Sequence, residues 1–296
     1  MDGILILDKP KGITSFIAAR LVSKAFGREK TGHAGTLDPM ATGVLPVMVG
    51  RATKLLQYLP ETDKEYEAEA LFGVRTDTAD ADGAVLESGR SIPSRDQLEA
   101  AVMSFLGESE QIPPMYSAIK KDGVPLYELA RKGETVDRQP RRINIYDIGL
   151  LSFREGRARL RVRCSAGTYI RTLAEDIAAK CGTVCYLTEL RRTSACGFGI
   201  GCAVTELRLK EAAAAGTAGQ LLISPQEIFR ELPRIELDSA LERLFMNGVE
   251  FACSRTGTTL DDGVRVRVMC GDEFLGLADI AAGGKVRKLW QSRTAN

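Results

Sequence analysis

The sequence predicts an α+β protein in which a large N-terminal domain is followed by a small, mostly-β module. Three observations predict this fold class. Residues 64–72 and 157–164 alternate apolar and polar side chains with a period of two, as half-buried β-strands do. Apolar side chains in residues 17–25 and 170–177 recur with the spacing of one helix face. From Ile235 onward, the chain consists mainly of short strand-like runs separated by glycine.

The composition is that of an ordinary globular protein. The chain has 296 residues, of which 44% are hydrophobic and 27% charged, and a chain of this size buries roughly 75% of the surface that its unfolded form exposes. No apolar run approaches the ~20 residues of a membrane span, and the N-terminus lacks the basic and apolar regions of a signal peptide. We therefore expect a cytoplasmic protein that does not associate with membranes.

Seven cysteines accompany a single histidine, His33. The closest cysteine pairs are Cys181 with Cys185 and Cys196 with Cys202, whose spacings are not those of a zinc site, and no second histidine completes a ligand set. An odd number of cysteines without a secretion signal also argues against a disulfide framework. The sequence therefore predicts reduced thiols and no bound metal.

The net charge of +1 conceals a pattern along the chain. Residues 1–60 and 114–200 are net basic, whereas residues 61–113 are strongly acidic. A basic face for nucleic acid can therefore exist on a nearly neutral chain. A well-mixed solvated surface explains the same pattern, and the charges alone do not choose between the two.

Short apolar runs and turn residues define the first elements. Residues 4–7 predict a buried strand, which residues 8–12 close as a turn. Thr14 or Ser15 then caps a helix that ends at Gly27.

A glycine-rich stretch containing His33 and Asp38 follows this helix. Residues 44–49 then predict a strand, and Pro46 places that part of it near a sheet edge or a strand start because proline cannot donate to a ladder. Residues 51–59 predict a short helix.

The alternating run at residues 64–72 predicts a strand that turns Tyr66 inward. The cluster of short acidic residues at 76–83 has the look of a calcium loop, but no glutamate occupies the twelfth position of an EF-hand loop. A structural turn is therefore the favoured interpretation.

Residues 94–106 have helical spacing, and a long irregular segment follows them. Within that segment, residues 127–132 predict a helix. Arg138, Arg141 and Arg142 form a basic cluster directly before the next predicted strand. This composition fits a mobile basic arm, and it fits a solvated loop equally well.

The strand at residues 157–164 carries four arginines on one face, and these meet either surface carboxylates or phosphates. Thr168 is the predicted N-cap of the next helix. Arg171 lies in the first turn of that helix, where the helix dipole disfavours a cation. Its charge is balanced either by Glu175, four residues later, or by a carboxylate from a distant part of the chain.

The C-terminal module follows a short helix predicted at residues 225–229. Its predicted elements are a strand near Ile235, a helix at residues 240–246 and strands at residues 264–270, 274–278 and 285–290.

Four residues are candidates for chemistry from their placement alone. Asp38, His33, Tyr66 and Arg171 each carry a reactive or recognition group at an element end or on an inward face. An isolated aspartate before proline is usually a turn former, and an isolated histidine or tyrosine usually packs in the interior. Sequence spacing does not show whether the four residues meet.

Several motifs occur in a fixed order over most of residues 3–200. They are Asp8-Lys9-Pro10-x-Gly12-x-Thr14-Ser15, Gly32-His33-Ala34-Gly35-Thr36-Leu37-Asp38-Pro39, Lys64-x-Tyr66, Pro113-Pro114-x-Tyr116-Ser117-Ala118, Gly167-Thr168-Tyr169-Ile170-Arg171 and Leu190-Arg191-Arg192-Thr193. In this combination the chain resembles the TruB family of bacterial tRNA pseudouridine synthases.

The resemblance implies a fold and a division into domains. Residues 1–230 are expected to form a pseudouridine-synthase domain, with a mixed, mainly antiparallel central sheet flanked by helices. A basic RNA-contacting insertion is expected within it at about residues 111–145. Residues 231–296 resemble the PUA-like RNA-binding domain of the same family.

The resemblance also implies roles for individual residues. Asp38 is expected to be the essential aspartate, acting as a nucleophile at ribose C1′ or as a base at C2′, and Arg171 is expected to pair with it. Tyr66 is expected to stack on the extruded uracil and to assist removal of the C5 proton. The implied RNA-binding roles are T-loop opening by His33, lining of the uridine pocket by Tyr169 and Leu190, support of the site or of the RNA backbone by Lys9, and phosphate contact by Arg141 and Arg142.

The implied reaction converts uridine 55 in the T loop of tRNA to pseudouridine, by base flipping, cleavage of the glycosidic bond and formation of a C–C bond. Because the reaction changes no oxidation state and needs no external energy, we expect no cofactor and no metal. The expected partner is the T stem-loop of tRNA, bound by a monomer that needs no protein partner.

Three other functions compete with this one. An RNA-binding or tRNA-chaperone protein could use the same fold without essential turnover, and a guide-RNA-dependent synthase of the dyskerin type could use the same chemistry. An aspartate-dependent glycosidase lacks a recognisable second carboxylate.

Overall fold

The computed structural model describes residues 1–59 and 63–292 of the chain. In chain order the helices are α1 (Ser15–Ala25), α2 (Arg95–Met103), α3 (Leu126–Arg131), α4 (Ile170–Lys180), α5 (Glu206–Ala214), α6 (Pro225–Ile228) and α7 (Ser239–Met246). The strands are β1 (Gly3–Lys9), β2 (Thr31–His33), β3 (Thr42–Val49), β4 (Lys64–Phe72), β5 (Arg75–Thr76), β6 (Val85–Glu87), β7 (Gly107–Gln111), β8 (Lys120–Lys121), β9 (Val124–Pro125), β10 (Arg141–Arg154), β11 (Arg157–Cys164), β12 (Cys185–Ala195), β13 (Phe198–Gly199), β14 (Val204–Thr205), β15 (Arg234–Glu236), β16 (Phe251–Ala252), β17 (Arg265–Cys270), β18 (Glu273–Ala281) and β19 (Lys285–Gln291). Short 3-10 helices lie at Gly50–Tyr58, Ile200–Cys202, Ala218–Leu221 and Cys253–Thr256.

A ten-stranded sheet lies at the centre of the described residues. Its strand order is β14-β1-β3-β12-β4-β11-β10-β7, with β2 paired to β3 and β13 paired to β12. The pairs β1/β14 and β3/β12 are parallel, and the other neighbours are antiparallel. The prediction of a mixed, mainly antiparallel central sheet is confirmed.

The two faces of this sheet carry separate cores. In β1, Leu5 and Leu7 pack in one core together with side chains of α1, α2 and α4. Ile4 and Ile6 point to the opposite face, where they share a core with Trp290 and other side chains of the C-terminal strands. Helices therefore cover one face, and the C-terminal sheet packs against the other.

The C-terminal sheet has the strand order β15-β17-β18-β19-β16. Its second core is closed by α7, which buries Leu241 and Phe245. The predicted elements from Ile235 onward are confirmed, and β16 is an addition to them. The domain boundary near residue 230 stays a prediction, because Phe274 shares a core with the first sheet. The last residues of the predicted C-terminal domain, 293–296, lie outside the described part of the chain.

The predicted alternation of β4 and β11 is confirmed. In β4 every second side chain from Tyr66 to Phe72 is buried, and β11 buries alternate residues in the same way. The four outward arginines of β11 form ion pairs with carboxylates: Arg157 with Glu69, Arg159 with Glu67, Arg161 with Asp147 and Arg163 with Asp63. Of the two alternatives for this face, surface carboxylates are the observed partners.

Pro46 lies inside β3 and not at a sheet edge or a strand start. Pairing of β3 with β12 involves Thr42 and Gly43, and pairing with β2 ends at Val47. Pro46 therefore falls in the gap between two partner strands, where no ladder donor is required. Its carbonyl accepts a hydrogen bond from the backbone of Ala34.

The predicted N-cap of α4 was wrong, and neither of the two alternatives for Arg141 and Arg142, a mobile arm or a solvated loop, describes these residues. The N-cap of α4 is Tyr169 rather than Thr168, and the Tyr169 side chain forms no capping hydrogen bond. Arg141 and Arg142 lie in β10 rather than in a mobile arm, because the unpredicted edge strand β7 pairs with them. The sequence of β7 lacks apolar alternation, as a short edge strand can.

None of the helices in the described ranges is long and apolar enough to cross a membrane.

Candidate active site

The loop that carries Asp38 is fixed by the start of α1. The hydroxyl of Ser15 donates to the carbonyl of Leu37 at 3.0 Å and accepts from the backbone nitrogen of Leu37 at 2.7 Å. The backbone nitrogen of Gly12 also donates to the carbonyl of Pro39 at 2.8 Å. The residues on both sides of Asp38 are therefore held by the first strand–helix connection, which keeps the carboxylate in a defined position.

Asp38 and Arg171 form a bidentate ion pair across 133 residues of sequence. Arg171 Nε donates to Oδ2 at 2.8 Å, and Nη2 donates to Oδ1 at 3.1 Å. Nη1 of this guanidinium donates to the carbonyl of Thr78 at 2.9 Å, and Nη2 also donates to the carbonyl of Tyr116 at 2.7 Å. Arg171 is only 3% exposed. The second alternative for Arg171, a carboxylate from a distant part of the chain, is therefore the observed one, and Glu175 does not form the ion pair.

A second carboxylate, Asp80, lies 3.6 Å from Arg171 Nε. Asp80 is buried, and its Oδ1 accepts from the hydroxyl of Thr78 at 2.6 Å and from the backbone nitrogen of Asp82 at 3.1 Å. The prediction of a structural turn at residues 76–83 is confirmed. Sequence reasoning missed that this turn also delivers a carboxylate to the site.

The ionisation of Asp38 reflects two opposed effects. Burial raises the pKa of Asp38 above its ordinary value, and the charge and hydrogen bonds of Arg171 oppose that rise without cancelling it. Asp80 adds a smaller upward contribution to this pKa, and Lys9 a small downward one. Arg171 thus favours the ionised form of Asp38, but burial has the larger effect on this pKa.

Lys9 is fully buried beneath the Asp38 loop. Its Nζ donates to the carbonyls of Pro10 at 2.9 Å and Pro39 at 3.3 Å. Burial lowers the pKa of Lys9 to about 8, against the opposing effect of Asp38. A fully buried side chain does not reach an RNA backbone, so of its two expected roles only support of the site fits the structure.

A cavity of about 370 Å³ opens beside the ion pair. Five of the predicted site residues line it: Asp38, Tyr66, Tyr169, Arg171 and Leu190. Lys9, His33, Arg141 and Arg142 are not among the lining residues. The remaining lining residues are glycine, small polar and aliphatic residues together with Lys64. The cavity combines one ion pair with aromatic and aliphatic surfaces, which suits a planar polar ring.

Tyr66 projects from β4 into this cavity and is 6% exposed. Burial raises the pKa of Tyr66 to about 12, although the neighbouring Arg192 acts to lower it. The phenol is therefore neutral at neutral pH and does not supply a tyrosinate base.

Arg192 is a fully buried arginine that sequence reasoning did not single out. Its Nε donates to the carbonyl of Val44 at 2.7 Å and its Nη2 to that of Gly35 at 2.8 Å. It belongs to β12, in which Leu190 is also buried. The alternation from Leu190 to Arg192 was a usable signal for its inward orientation.

One side of the site is formed by Gln111, the last residue of β7, and by the irregular segment that follows it. Gln111 exchanges two hydrogen bonds with the backbone of Tyr169, at 2.8 Å and 3.1 Å. Residues 117–119 line the cavity, and the carbonyl of Tyr116 binds Arg171. Residues 116–119 therefore form a wall of the site. Neither a mobile arm nor a solvated loop describes this part of the segment.

His33 ends β2 next to the cavity. Its Nε2 lies 3.3 Å from the hydroxyl of Thr36, which lines the cavity. Burial and then the charge of Arg192 lower the pKa of His33, so the ring is neutral at neutral pH. A neutral, partly exposed ring beside the cavity fits the expected role of His33 in opening the T loop, which stays a prediction.

Within the described residues, no group of three or more histidine, cysteine, aspartate or glutamate side chains is arranged to hold a metal. All seven cysteines are free thiols, as predicted.

Comparisons with known proteins agree on one family. The family described as TruB family pseudouridylate synthase (N terminal domain) matches residues 23–170. A protein named tRNA pseudouridine synthase B from Azoarcus sp. (strain BH72) is 43% identical over 283 residues, which are 96% of this chain and 92% of the relative. A protein of the same name from Chromohalobacter salexigens is 41% identical over 288 residues, which are 97% of this chain and 92% of the relative.

Solved structures show the same fold. The chain is similar to one described as "Crystal Structure of a Cbf5-Nop10-Gar1 Complex", with a TM-score of 0.70, 24% sequence identity and coverage of 99% of this chain and 85% of that chain. At this level of identity the likeness concerns the fold alone.

Proposed function

The chain belongs to the TruB family of pseudouridine synthases, and from this membership we propose that it isomerises uridine 55 in the T loop of tRNA to pseudouridine. The observation that carries the proposal is the bidentate Asp38–Arg171 pair at the wall of a cavity that Tyr66 also lines. A base inside a folded RNA loop is accessible only when it is flipped out, and the cavity supplies a place for it.

Asp38 is proposed to act at the ribose of the flipped nucleotide. Each of its oxygens accepts one hydrogen bond from Arg171, which leaves lone pairs for the sugar. Attack at C1′ and proton abstraction at C2′ both need an ionised carboxylate. Arg171 orients that carboxylate and opposes the rise of its pKa.

The proposed isomerisation balances without a cofactor. The bond between C1′ and N1 breaks, the uracil rotates in the cavity, and C5 forms a new bond to C1′. The proton leaves C5, and N1 carries a proton in the product, so no electrons are gained or lost overall.

Tyr66 is proposed to stack on the uracil and to act through its neutral hydroxyl. Because its pKa is raised to about 12, the phenol can pass on a proton only while it accepts another. The expected assistance of Tyr66 in removing the C5 proton is therefore proposed to be a proton relay rather than abstraction by a tyrosinate.

The direct test is release of tritium from a tRNA transcript labelled at uridine C5. We expect the wild-type protein to release one tritium per transcript, and Asp38→Asn to abolish release while leaving the Kd for the transcript within about threefold. Asp147→Asn is the matched control, because Asp147 is an exposed carboxylate that pairs with Arg161. Release that survives Asp38→Asn would remove Asp38 from the chemistry.

Two competing functions have their own outcomes in this assay. A binding protein without turnover would bind the transcript and release nothing. A guide-RNA-dependent synthase would need a further RNA before release began, whereas we propose that the protein acts on the free transcript.

Arg141 and Arg142 are proposed to contact phosphates of the tRNA. Both are exposed at the start of β10, opposite Gln111 and Glu110 of the edge strand. Changing both to glutamine should weaken binding and flatten its salt dependence, with little effect on the rate of tritium release at saturating protein. A large loss of that rate would contradict a purely positional role.

A further inference from the structure

One exposed face of α1 carries a strip of side chains that the proposed catalytic site does not use. This α1 strip consists of Phe16, Ile17, Arg20, Lys24 and Arg28. Phe16 is 64% exposed and Ile17 44% exposed, although both are apolar. Phe16, Arg20, Lys24 and Arg28 follow one another at intervals of four residues, which aligns those within the helix along one side.

The cations of the α1 strip have no acidic partner in the part of the chain that the structure describes. Among the described residues, Arg20, Lys24 and Arg28 form no ion pair, and α1 itself contains no acidic residue. Most exposed arginines elsewhere are paired, as Arg95 is with Glu99 on α2. A solvated helix face usually mixes charges of both signs. On a face that carries cations alone, no neighbouring carboxylate neutralises the positive electrostatic potential.

The α1 strip also begins next to the cavity. Ser15, the first residue of α1, holds the backbone of Leu37 through two hydrogen bonds, and Leu37 lines the cavity. Phe16, where the strip starts, directly follows Ser15, which bonds the loop that carries Asp38. The guanidinium of Arg20 lies 6.0 Å from the centre of the Phe16 ring.

We propose that the α1 strip binds the sugar–phosphate backbone of the tRNA substrate outside the uridine cavity, with Phe16 as a stacking surface for an unpaired base. This inference rests on the proposed function, because it extends the RNA-binding surface of the same site. Proteins bind single-stranded RNA with cations that contact its phosphates and aromatic rings that stack on its bases, and the α1 strip has both kinds of group.

The geometry of α1 suits an RNA backbone. Eleven residues of helix extend about 16 Å, a distance over which a duplex presents about nine phosphate charges. A shallow groove along the strip is lined by Ile17, Arg20, Lys24 and Arg28. Its walls contain no carboxylate, so a phosphate entering it meets no like charge.

The test compares two double variants that remove the same charge. Arg20→Gln/Lys24→Gln changes the strip, and Arg95→Gln/Arg230→Gln changes two exposed arginines that are already paired with glutamates. For the strip variant we expect the Kd for a full-length tRNA transcript to rise about tenfold near physiological salt, and the slope of log K against log salt to fall by about 1.5. The control should match the wild type in both. Single-turnover tritium release at saturating protein should stay within about twofold for both variants.

Phe16→Ala provides an independent test of the stacking surface. The side chain is exposed, so its removal should leave thermal stability unchanged while raising the Kd for the transcript about tenfold, with no change in the salt slope. Strip variants that bind like the control would overturn the inference. A wild-type protein that binds the transcript but releases no tritium would instead refute the proposed function, and the Kd comparison would still decide the role of the strip.

Discussion

Arg192 stands directly opposite Tyr66 on the neighbouring strands β12 and β4, and its guanidinium is fully buried. Among the described residues it forms no ion pair with a carboxylate; it donates to the backbone carbonyls of Val44 and Gly35, and its hydrogen bond with Tyr66 acts to lower the pKa of that phenol. Its charge acts to lower the pKa of Tyr66, His33 and other groups around the cavity. A fixed positive charge therefore lies next to Tyr66, where it favours anionic states of groups in the cavity.

Replacing Arg192 by glutamine should destabilise the fold. Two charge-assisted hydrogen bonds are lost and two buried carbonyls are left without their donor, so we expect the free energy of unfolding to fall by about 2–4 kcal/mol. Urea denaturation measures this change. The matched control is Arg191→Gln on the same strand, because Arg191 is 40% exposed and pairs with a partly exposed Asp8, and should lose at most about 1 kcal/mol. Equal losses at the two positions would show that burial of Arg192 is unimportant.

Local patterns predicted the scaffold around this site well. The alternation in residues 64–72 predicted that Tyr66 points inward, because a period of two is a property of the strand itself. The position of Arg171 in the first turn of α4 indicated an unbalanced cation, and a distant carboxylate was one of two explanations. Choosing Asp38 from the residues alone was impossible, because the contact depends on how strands far apart in sequence are arranged in the sheet.

Local sequence patterns gave little indication of two other residues near the site, Asp80 and Arg192. Asp80 accounts for a turn through its bonds to Thr78 and Asp82, and nothing local reveals its approach to Arg171. Arg192 follows two positions after the buried Leu190, but the register of β12 shifts between Leu187 and Glu189 and again after Arg192. The uninterrupted alternation that ends at Arg192 is therefore short, which makes it a usable but weak signal for an inward orientation.

Arg171→Gln should change the pH dependence of the reaction. Arg171 is the largest influence that opposes the raised pKa of Asp38, so its loss should raise that pKa further. If the ionised carboxylate is required, the acid limb of single-turnover tritium release should move to higher pH. The rate loss should then be largest at low pH and partly recovered near pH 9.

The alternative for Arg171 is a purely structural role. In that case the variant would lose rate by the same factor at every pH, and the acid limb would keep its position. Arg171→Lys is the intermediate variant, because it keeps the charge but not the bidentate geometry. Its acid limb should lie between those of the wild type and Arg171→Gln.

Tyr66→Phe should separate stacking from proton transfer. Phenylalanine keeps the aromatic face, so the Kd for the transcript should stay within about threefold, whereas loss of the hydroxyl should slow single-turnover release about 100-fold. Tyr66→Leu should add a loss of binding, because the stacking surface is removed as well. Full activity of Tyr66→Phe would exclude a relay role for the hydroxyl.

Lys9→Met should reveal the free energy cost of a buried cation. The folded-state pKa of Lys9 is lowered from 10.5 to about 8, so between these values the unfolded chain binds more protons than the folded one. Folding stability attributable to Lys9 therefore rises with pH across this window, and below about pH 8 the full penalty is present. Relative to Lys9→Met, the wild-type free energy of unfolding should increase by on the order of 3 kcal/mol between pH 7.5 and pH 10.5. Urea denaturation of both proteins at several pH values measures the difference, in which the titration of unrelated groups cancels. Parallel curves for the two proteins would mean that Lys9 keeps an ordinary pKa in the folded state.

Lys9→Met also removes a cation near Asp38, so the acid limb of its tritium release should move to higher pH. The shift should be smaller than that of Arg171→Gln, because Lys9 has the smaller influence on the pKa of Asp38.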